Sequence, residues 1–192
     1  MLLLDYDAAA GAIGDPGHDP TSVGALLLRA AGDRYAQLVG GAGMCEFEES
    51  GAHFLFDLAS PIGLPQEDRT VAAWALTPTV SRRRDAAYQR GYPMPPAPDG
   101  QPGVDRGHLI PHLSGGQFGP NIFRQDRALN RGWSVDGKRY RALERRAAEV
   151  PGTLFFGHLV YDDETAYPAR IEIAVMVGDG MLHVDTFANR PG

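Results

Sequence analysis

Residues 105–112 read DRGHLIPH. Asp105, Arg106 and His108 crowd together at the entry to an apolar Leu-Ile pair that Pro111 ends. Two arrangements explain this. Either a strand simply ends at solvent, or a site needs a cation and a base a few ångströms apart. The flanking chain decides between them.

Upstream lies PMPPAPDGQPG (93–103), whose prolines and glycines exclude a regular element and predict a long loop. Farther back, 52–59 (AHFLFDLA) and 70–78 (TVAAWALTP) read as strands. Residues 21–39 read as a helix. Thr21 or Ser22 can cap it, with Leu26, Leu27, Ala30 and Ala31 on one side, and GGAG (40–43) ends it; Gly24 and Gly32 speak against it. The turn-rich GDPGHDP (14–20) precedes it and holds His18 in a loop.

Downstream, QFGPNIFRQDRALNRGW (117–133) is polar. Pro120 is a possible helix start and Gly132 a stop. KRYRALERRAAEV (138–150) reads as a helix with Tyr140, Leu143 and Ala147 on its apolar side and arginines on the other. Three strands follow at 153–161, 170–177 and 181–188, the last two joined by a tight turn at Gly178-Asp179-Gly180. This order predicts an α+β fold with an antiparallel sheet.

Composition narrows the function. No run of about 18 apolar residues occurs, so no membrane span is expected. The start, MLLLDYDAAAG, lacks a basic region and is not read as a signal peptide. The expected location is therefore the cytoplasm, or outside the cell by a dedicated secretion route. The single cysteine, Cys45, excludes an internal disulfide framework and is expected to be a small buried side chain. The net charge of -6 argues against a nucleic-acid partner until its distribution is read. Residues 81–146 hold 13 basic and 6 acidic side chains, including Arg82, Arg83 and Arg84, while the acidic excess lies in the flanks. Such an asymmetry suits a face that meets phosphate. An arginine-rich solvated surface gives the same count.

Phosphodiester hydrolysis supplies a chemical template. It needs a base titrating near neutrality, which His108 can be. It needs a cation held by oxygen ligands, for which Asn121, Asn130 and Glu144 are available. Arg106 can grip phosphate with two donors. Other templates fail. HLSGG is not a G-x-S-x-G elbow, and neither a P-loop nor G-x-G-x-x-G is present. His108 and His112 form HxxxH, but Pro111 lies between them and no HExxH glutamate accompanies them, so zinc is not expected. His158 and His183 are expected as sheet residues, and Trp74 and Trp133 as core.

In this order, DRGH, then PNIFRQDRALNRG, then a glutamate on a basic helix, the sequence resembles the DNA/RNA non-specific endonucleases of the ββα-metal (His-Me finger) group. It looks closest to the branch found in bacterial secreted toxins. The resemblance spans about residues 70–190. It implies a ββα-metal core with an N-terminal helical extension: an acidic extension with one helix over 1–50 and a nuclease domain over 51–192. It implies a metal-dependent endonuclease using Mg²⁺ or Mn²⁺ on DNA and/or RNA. His108 would be the general base and Asn130 the direct cation ligand. Asn121 and Gln125 would support the site and the histidine loop, and Glu144 would serve the cation through water. Arg106, with Arg131 and Gln125, would meet substrate, and Asp105 would orient the loop. One of Arg82, Arg83 and Arg84 would be an upstream substrate arginine. An unrestrained nuclease endangers its own cell, so a toxin role with a cognate immunity or inhibitor protein is the implied partnership. The acidic residues of 1–80 would then shield the basic face or bind that partner. The alternative is a non-cutting nucleic-acid- or protein-binding module on the same scaffold.

Two departures stand out. Arg124 occupies a position that is usually proline in the family. Asn130 and Glu144 lie 14 residues apart, which is roughly 21 Å on an unbroken helix. Either SVDGK (134–138) loops out and the helix restarts near Lys138, or another carboxylate, Asp136, takes the place of Glu144.

Overall fold

The computed structural model describes residues 4–11, 19–39, 43–59, 67–79, 103–177 and 180–190. Arg82, Arg83, Arg84, His18, Gly178-Asp179 and nearly all of the proline-rich loop lie outside these residues. The chain runs α1 (Tyr6–Gly11), α2 (Pro20–Val39), β1 (Met44–Glu49), β2 (Ala52–Asp57), β3 (Arg69–Leu76) and β4 (Val104–His108). Then come β5 (Ile122–Asp126), α3 (Arg127–Arg131), α4 (Val135–Glu149), β6 (Leu154–Val160), β7 (Arg170–Met176) and β8 (Leu182–Ala188). Six strands form one antiparallel sheet in the order β1-β2-β3-β6-β7-β8, and β4 and β5 pair apart from it. The α+β class with an antiparallel sheet is therefore observed.

Strand alternation explains the layering. On β6, Leu154 and Phe156 face the cluster built with Leu27, Leu28 and Ala31 of α2. Phe155 and Leu159 face the other way, onto Leu109, Ile110, Phe123 and Tyr140. Every residue of β6 is buried because both sheet faces are covered. Helices α1 and α2 thus lie on one face, and the β4-β5-α3-α4 unit lies on the other.

The described residues among the first fifty pack into this arrangement. They carry two helices, and β1 pairs with β2 across the turn Ser50-Gly51, so residue 50 falls inside a hairpin. Strand β1 was not read from the sequence because MCEFEE is an exposed edge strand without apolar alternation. Helix α2 packs on the sheet face opposite the β4-β5 unit, so it does not shield that unit. Its cap is Asp19 rather than Thr21 or Ser22: the Asp19 carboxylate accepts from the Ser22 amide at 3.1 Å. Gly24, which argued against this helix, is a packing residue, since a Cβ there would lie 2.4 Å from the Trp74 ring.

Two further expectations need correction. Cys45 is exposed on the edge strand, because its neighbours there carry no second layer. The helix expected from Pro120 to Gly132 is instead a 3-10 turn, strand β5 and the short helix α3. Ile122 and Phe123 pair with His108 and Gly107 across the hairpin, and this tertiary pairing overrides the local helical reading.

Candidate active site

Strand β4 delivers the DRGH residues, and the following Leu109-Ile110 anchors them. Both side chains are completely buried, each worth roughly 1.5–3 kcal/mol of burial. Leu109 packs so closely on β6 that a Cβ on Gly157 would lie 2.4 Å from it. His108, itself buried, therefore sits at the junction of strand and core, with the Phe118 ring 5.9 Å away. Gly107 is required here, because its Cβ would fall 2.6 Å from the Cβ of Gln125 on the paired strand.

The break between the motif asparagine and the glutamate is local and well specified. Helix α3 starts on Asp126, whose carboxylate accepts from the Leu129 amide at 2.7 Å. It stops at Gly132, which adopts φ 70, a left-handed conformation that suits glycine. Ser134 then caps α4 by accepting from the Gly137 amide at 2.9 Å. The chain thus turns at 132–134, and SVDGK does not loop out. Gly137 serves close packing instead: a Cβ there would lie 2.5 Å from the Ala128 carbonyl oxygen at the end of α3. This contact lays α4 against α3 and brings the two motif residues together.

His108, Asn130 and Glu144 line one cavity of about 180 Å³, together with Pro111, His112, Leu113, Arg141 and Arg145. The 14-residue spacing is therefore no obstacle to a common site. Asp136 does not line it. It pairs with Arg139 at 2.9 Å on an exposed face of α4. Arg106 is not among the lining residues either; the strand register sets it opposite Arg124.

Asp105 organises the entrance. Its carboxylate accepts from Asn130 Nδ2 at 3.2 Å, Arg127 Nε at 2.9 Å and Arg131 Nε at 2.7 Å. A carboxylate only accepts, so Asn130 must turn its amide nitrogen to Asp105, which leaves Oδ1 as the atom that could take a cation. Partial burial opposes ionisation of Asp105. The bonds from Arg131, Arg127 and Asn130 outweigh it and hold the carboxyl below the ordinary Asp range.

Asn121 and Gln125 lie beneath the site rather than in it. Asn121 is fully buried. Its Oδ1 accepts from the Ile110 amide at 2.7 Å, and its Nδ2 donates to the carbonyls of Ile110 and Gln117. It clamps the loop that follows His108. Gln125 is buried, and its Nε2 has no hydrogen-bond partner of good geometry among the described residues. Burial, and then the Glu144 carboxylate, push the nearby Tyr140 hydroxyl well above its ordinary pKa, with Gln125 acting in the opposite direction. Arg124 is buried and grips Glu67 through two bonds of 3.1 and 3.2 Å. The bidentate pair satisfies a charge that burial would otherwise penalise.

Arg141 and Arg145 were missed in the sequence, although the signal was there. Once Glu144 is placed on the cavity side of a helix, Arg141 at i−3 shares its face, and Arg145 follows one turn after Arg141 at i+4. His112 also reaches the cavity. His158 is a sheet residue bonded to Glu172 at 3.0 Å, and Trp74 is core. Trp133 is not core: it is 64% exposed, because the turn at 132–134 carries it outward.

The donor set suits a hard divalent cation. An amide oxygen and one carboxylate are oxygen ligands of the kind such a cation uses while keeping several waters. At about 30 Å³ per water, the cavity has room for about six. Among the described residues no cluster of three His, Cys, Asp or Glu is placed to hold a metal.

No family model matches the chain, and no curated protein sequence is similar to it. A solved structure of Sda1 nuclease with bound zinc ion overlaps it with a TM-score of 0.39 and 14% identity, over 78% of this chain and 74% of that one. A likeness at that level assigns neither family nor activity. Among the described residues no helix is long and apolar enough to cross a membrane.

Proposed function

We propose that the chain is a divalent-cation-dependent endonuclease of the ββα-metal kind, hydrolysing phosphodiester bonds of DNA and/or RNA with little base specificity. The observation that carries this reading is the convergence of His108, Asn130 and Glu144 on one small cavity edged by Arg141 and Arg145. His108 takes the proton from the attacking water. Asn130 and Glu144 hold Mg²⁺ or Mn²⁺, which supplies charge stabilisation at the scissile phosphate and leaving oxygen. Arg141 and Arg145 draw the phosphate in, and the basic α4 surface binds the backbone, so affinity falls steeply with salt. Asp105 keeps Asn130 turned the right way, and Asn121 fixes the histidine loop. Arg106 and Arg131 contribute phosphate contacts at the rim. A cognate inhibitor protein is the natural partner of such an activity, and delivery out of the producing cell as a toxin is its natural use.

The test is digestion of plasmid DNA and total RNA by wild type, His108→Ala and Asn130→Ala, with Mg²⁺, Mn²⁺ or EDTA. Cutting should require the cation and disappear in both variants. Calorimetric Mn²⁺ binding should weaken in Asn130→Ala and persist in His108→Ala. Folded wild-type protein that cuts nothing with any divalent cation would instead establish the non-cutting binding module.

A further inference from the structure

Trp133 is one of several exposed large apolar side chains among the described residues. It is 64% exposed, yet its ring is held in place, with the Arg131 guanidinium carbon 5.1 Å from the ring centroid. Arg131 is in turn fixed by Asp105 through bonds of 2.7 and 3.3 Å. The same carboxylate holds Asn130, which lines the cavity. A rigid chain of contacts therefore runs from the open indole face to the proposed cleavage site. Trp133 lies three positions after Asn130, so their Cα atoms are within about 11 Å. That is at most about three nucleotide steps at 3.4 Å per strand. Leu113, 52% exposed, provides a second apolar surface in the cavity lining itself.

An exposed aromatic face backed by a cation, beside a basic cleft, suits one ligand chemistry better than others. An unpaired base can lay its π-face on the indole while its phosphate meets the arginines. A paired base cannot, because its faces are taken by its neighbours in the stack and only edges and phosphates are presented. We propose that Trp133, backed by Arg131, is a stacking platform for an unpaired base beside the cleaved phosphate, which makes single-stranded nucleic acid the preferred substrate over duplex. This rests on the phosphodiesterase reading of the cavity.

The experiment separates the two ideas by measuring binding without cutting. Full-length His108→Ala in EDTA is titrated with an oligothymidylate and with a long blunt-ended duplex, following tryptophan fluorescence. Trp74 is a silent internal control, since it is only 4% exposed and stacks on His53 at 4.1 Å. The single strand should quench Trp133, and the duplex should do so much less. With a labelled strand, Trp133→Ala should lose between about five- and a hundredfold in affinity, Trp133→Phe should recover most of it, and duplex binding should change less than about twofold. In the otherwise wild-type enzyme, Trp133→Ala should lose single-strand cleavage by a larger factor than duplex cleavage. Equal quenching by duplex, or unchanged single-strand affinity in Trp133→Ala, overturns the platform while leaving cleavage intact. Loss of all cutting in wild type with preserved single-strand quenching overturns the nuclease reading and keeps the platform.

Discussion

Gly137→Ala adds one carbon atom well away from the proposed chemistry, and the structure says what that atom must do. It would sit 2.5 Å from the Ala128 carbonyl oxygen, 2.8 Å from that of Leu129 and 2.9 Å from the Gly132 Cα. Ordinary contact begins near 3.4 Å, so about 0.9 Å has to be made up against backbone atoms that cannot swing aside. Helix α4 must slide or tilt away from α3. Glu144, Arg141 and Arg145 ride on α4, while Asn130 rides on α3, so the cavity opens by a comparable distance. A misplacement of about 1 Å costs on the order of 100-fold in rate. Stability should change little by comparison. Overpacking costs about 1–3 kcal/mol, and replacing glycine by alanine inside a helix returns up to about 1 kcal/mol. The assay is plasmid nicking at saturating Mg²⁺ beside a thermal melt followed by circular dichroism. Turnover should fall between about ten- and a hundredfold, with a cooperative melt lowered by no more than about 8 °C. Wild-type turnover with an unchanged or raised melting temperature would show that α4 is not seated on α3 through Gly137, and the shared cavity would go with it.

Other changes probe the supports separately. Asp105→Ala releases the Asn130 amide and should weaken Mn²⁺ binding by about 10–100-fold in calorimetry; unchanged affinity would remove Asp105 from any orienting role. The Asp105 carboxyl has a lowered pKa in the fold, so its stabilisation is complete above the unfolded value of about 3.9 and is lost as pH falls through the lower folded value. Asp105→Asn should therefore melt less steeply with falling pH than wild type below about pH 4, and identical slopes would sink that account. Asn121→Asp keeps the acceptor for the Ile110 amide but cannot donate to the carbonyls of Ile110 and Gln117. It should cost about 2–4 kcal/mol in urea unfolding, and a loss below about 0.5 kcal/mol would show that the clamp is not formed.

The elements that were legible in the sequence share a property: their signal is local. Strands β2, β3, β6, β7 and β8 declare themselves by runs of β-branched and aromatic residues, and α4 by the stripe of Tyr140, Leu143 and Ala147. Strands β1 and β5 do not. MCEFEE is an exposed edge, and IFRQD reads as the start of a helix until Gly107 and His108 pair with it. The same division holds in the site. The resemblance carried by DRGH and LNRG pointed to His108 and Asn130 with Glu144 or Asp136, and the cavity contains His108, Asn130 and Glu144. Asn121, Gln125 and Arg106 share that resemblance yet stand outside the lining, because sequence order does not say which way a strand residue faces once the hairpin is seated.

Sequence alone therefore determined the fold class, most of the large sheet's strands and the chemical identity of the candidate groups. All of these follow from periodicity and from side-chain chemistry, which each residue carries with it. Tertiary structure alone decided that 14 residues of separation become one cavity, because the left-handed turn at Gly132 and the missing Cβ of Gly137 fold α4 back onto α3. It also decided that Arg141 and Arg145 join the site, that Trp133 faces solvent, and that α1 and α2 form a layer over one sheet face. Those outcomes depend on which surfaces meet, and contact between distant segments leaves no periodic mark in either of them.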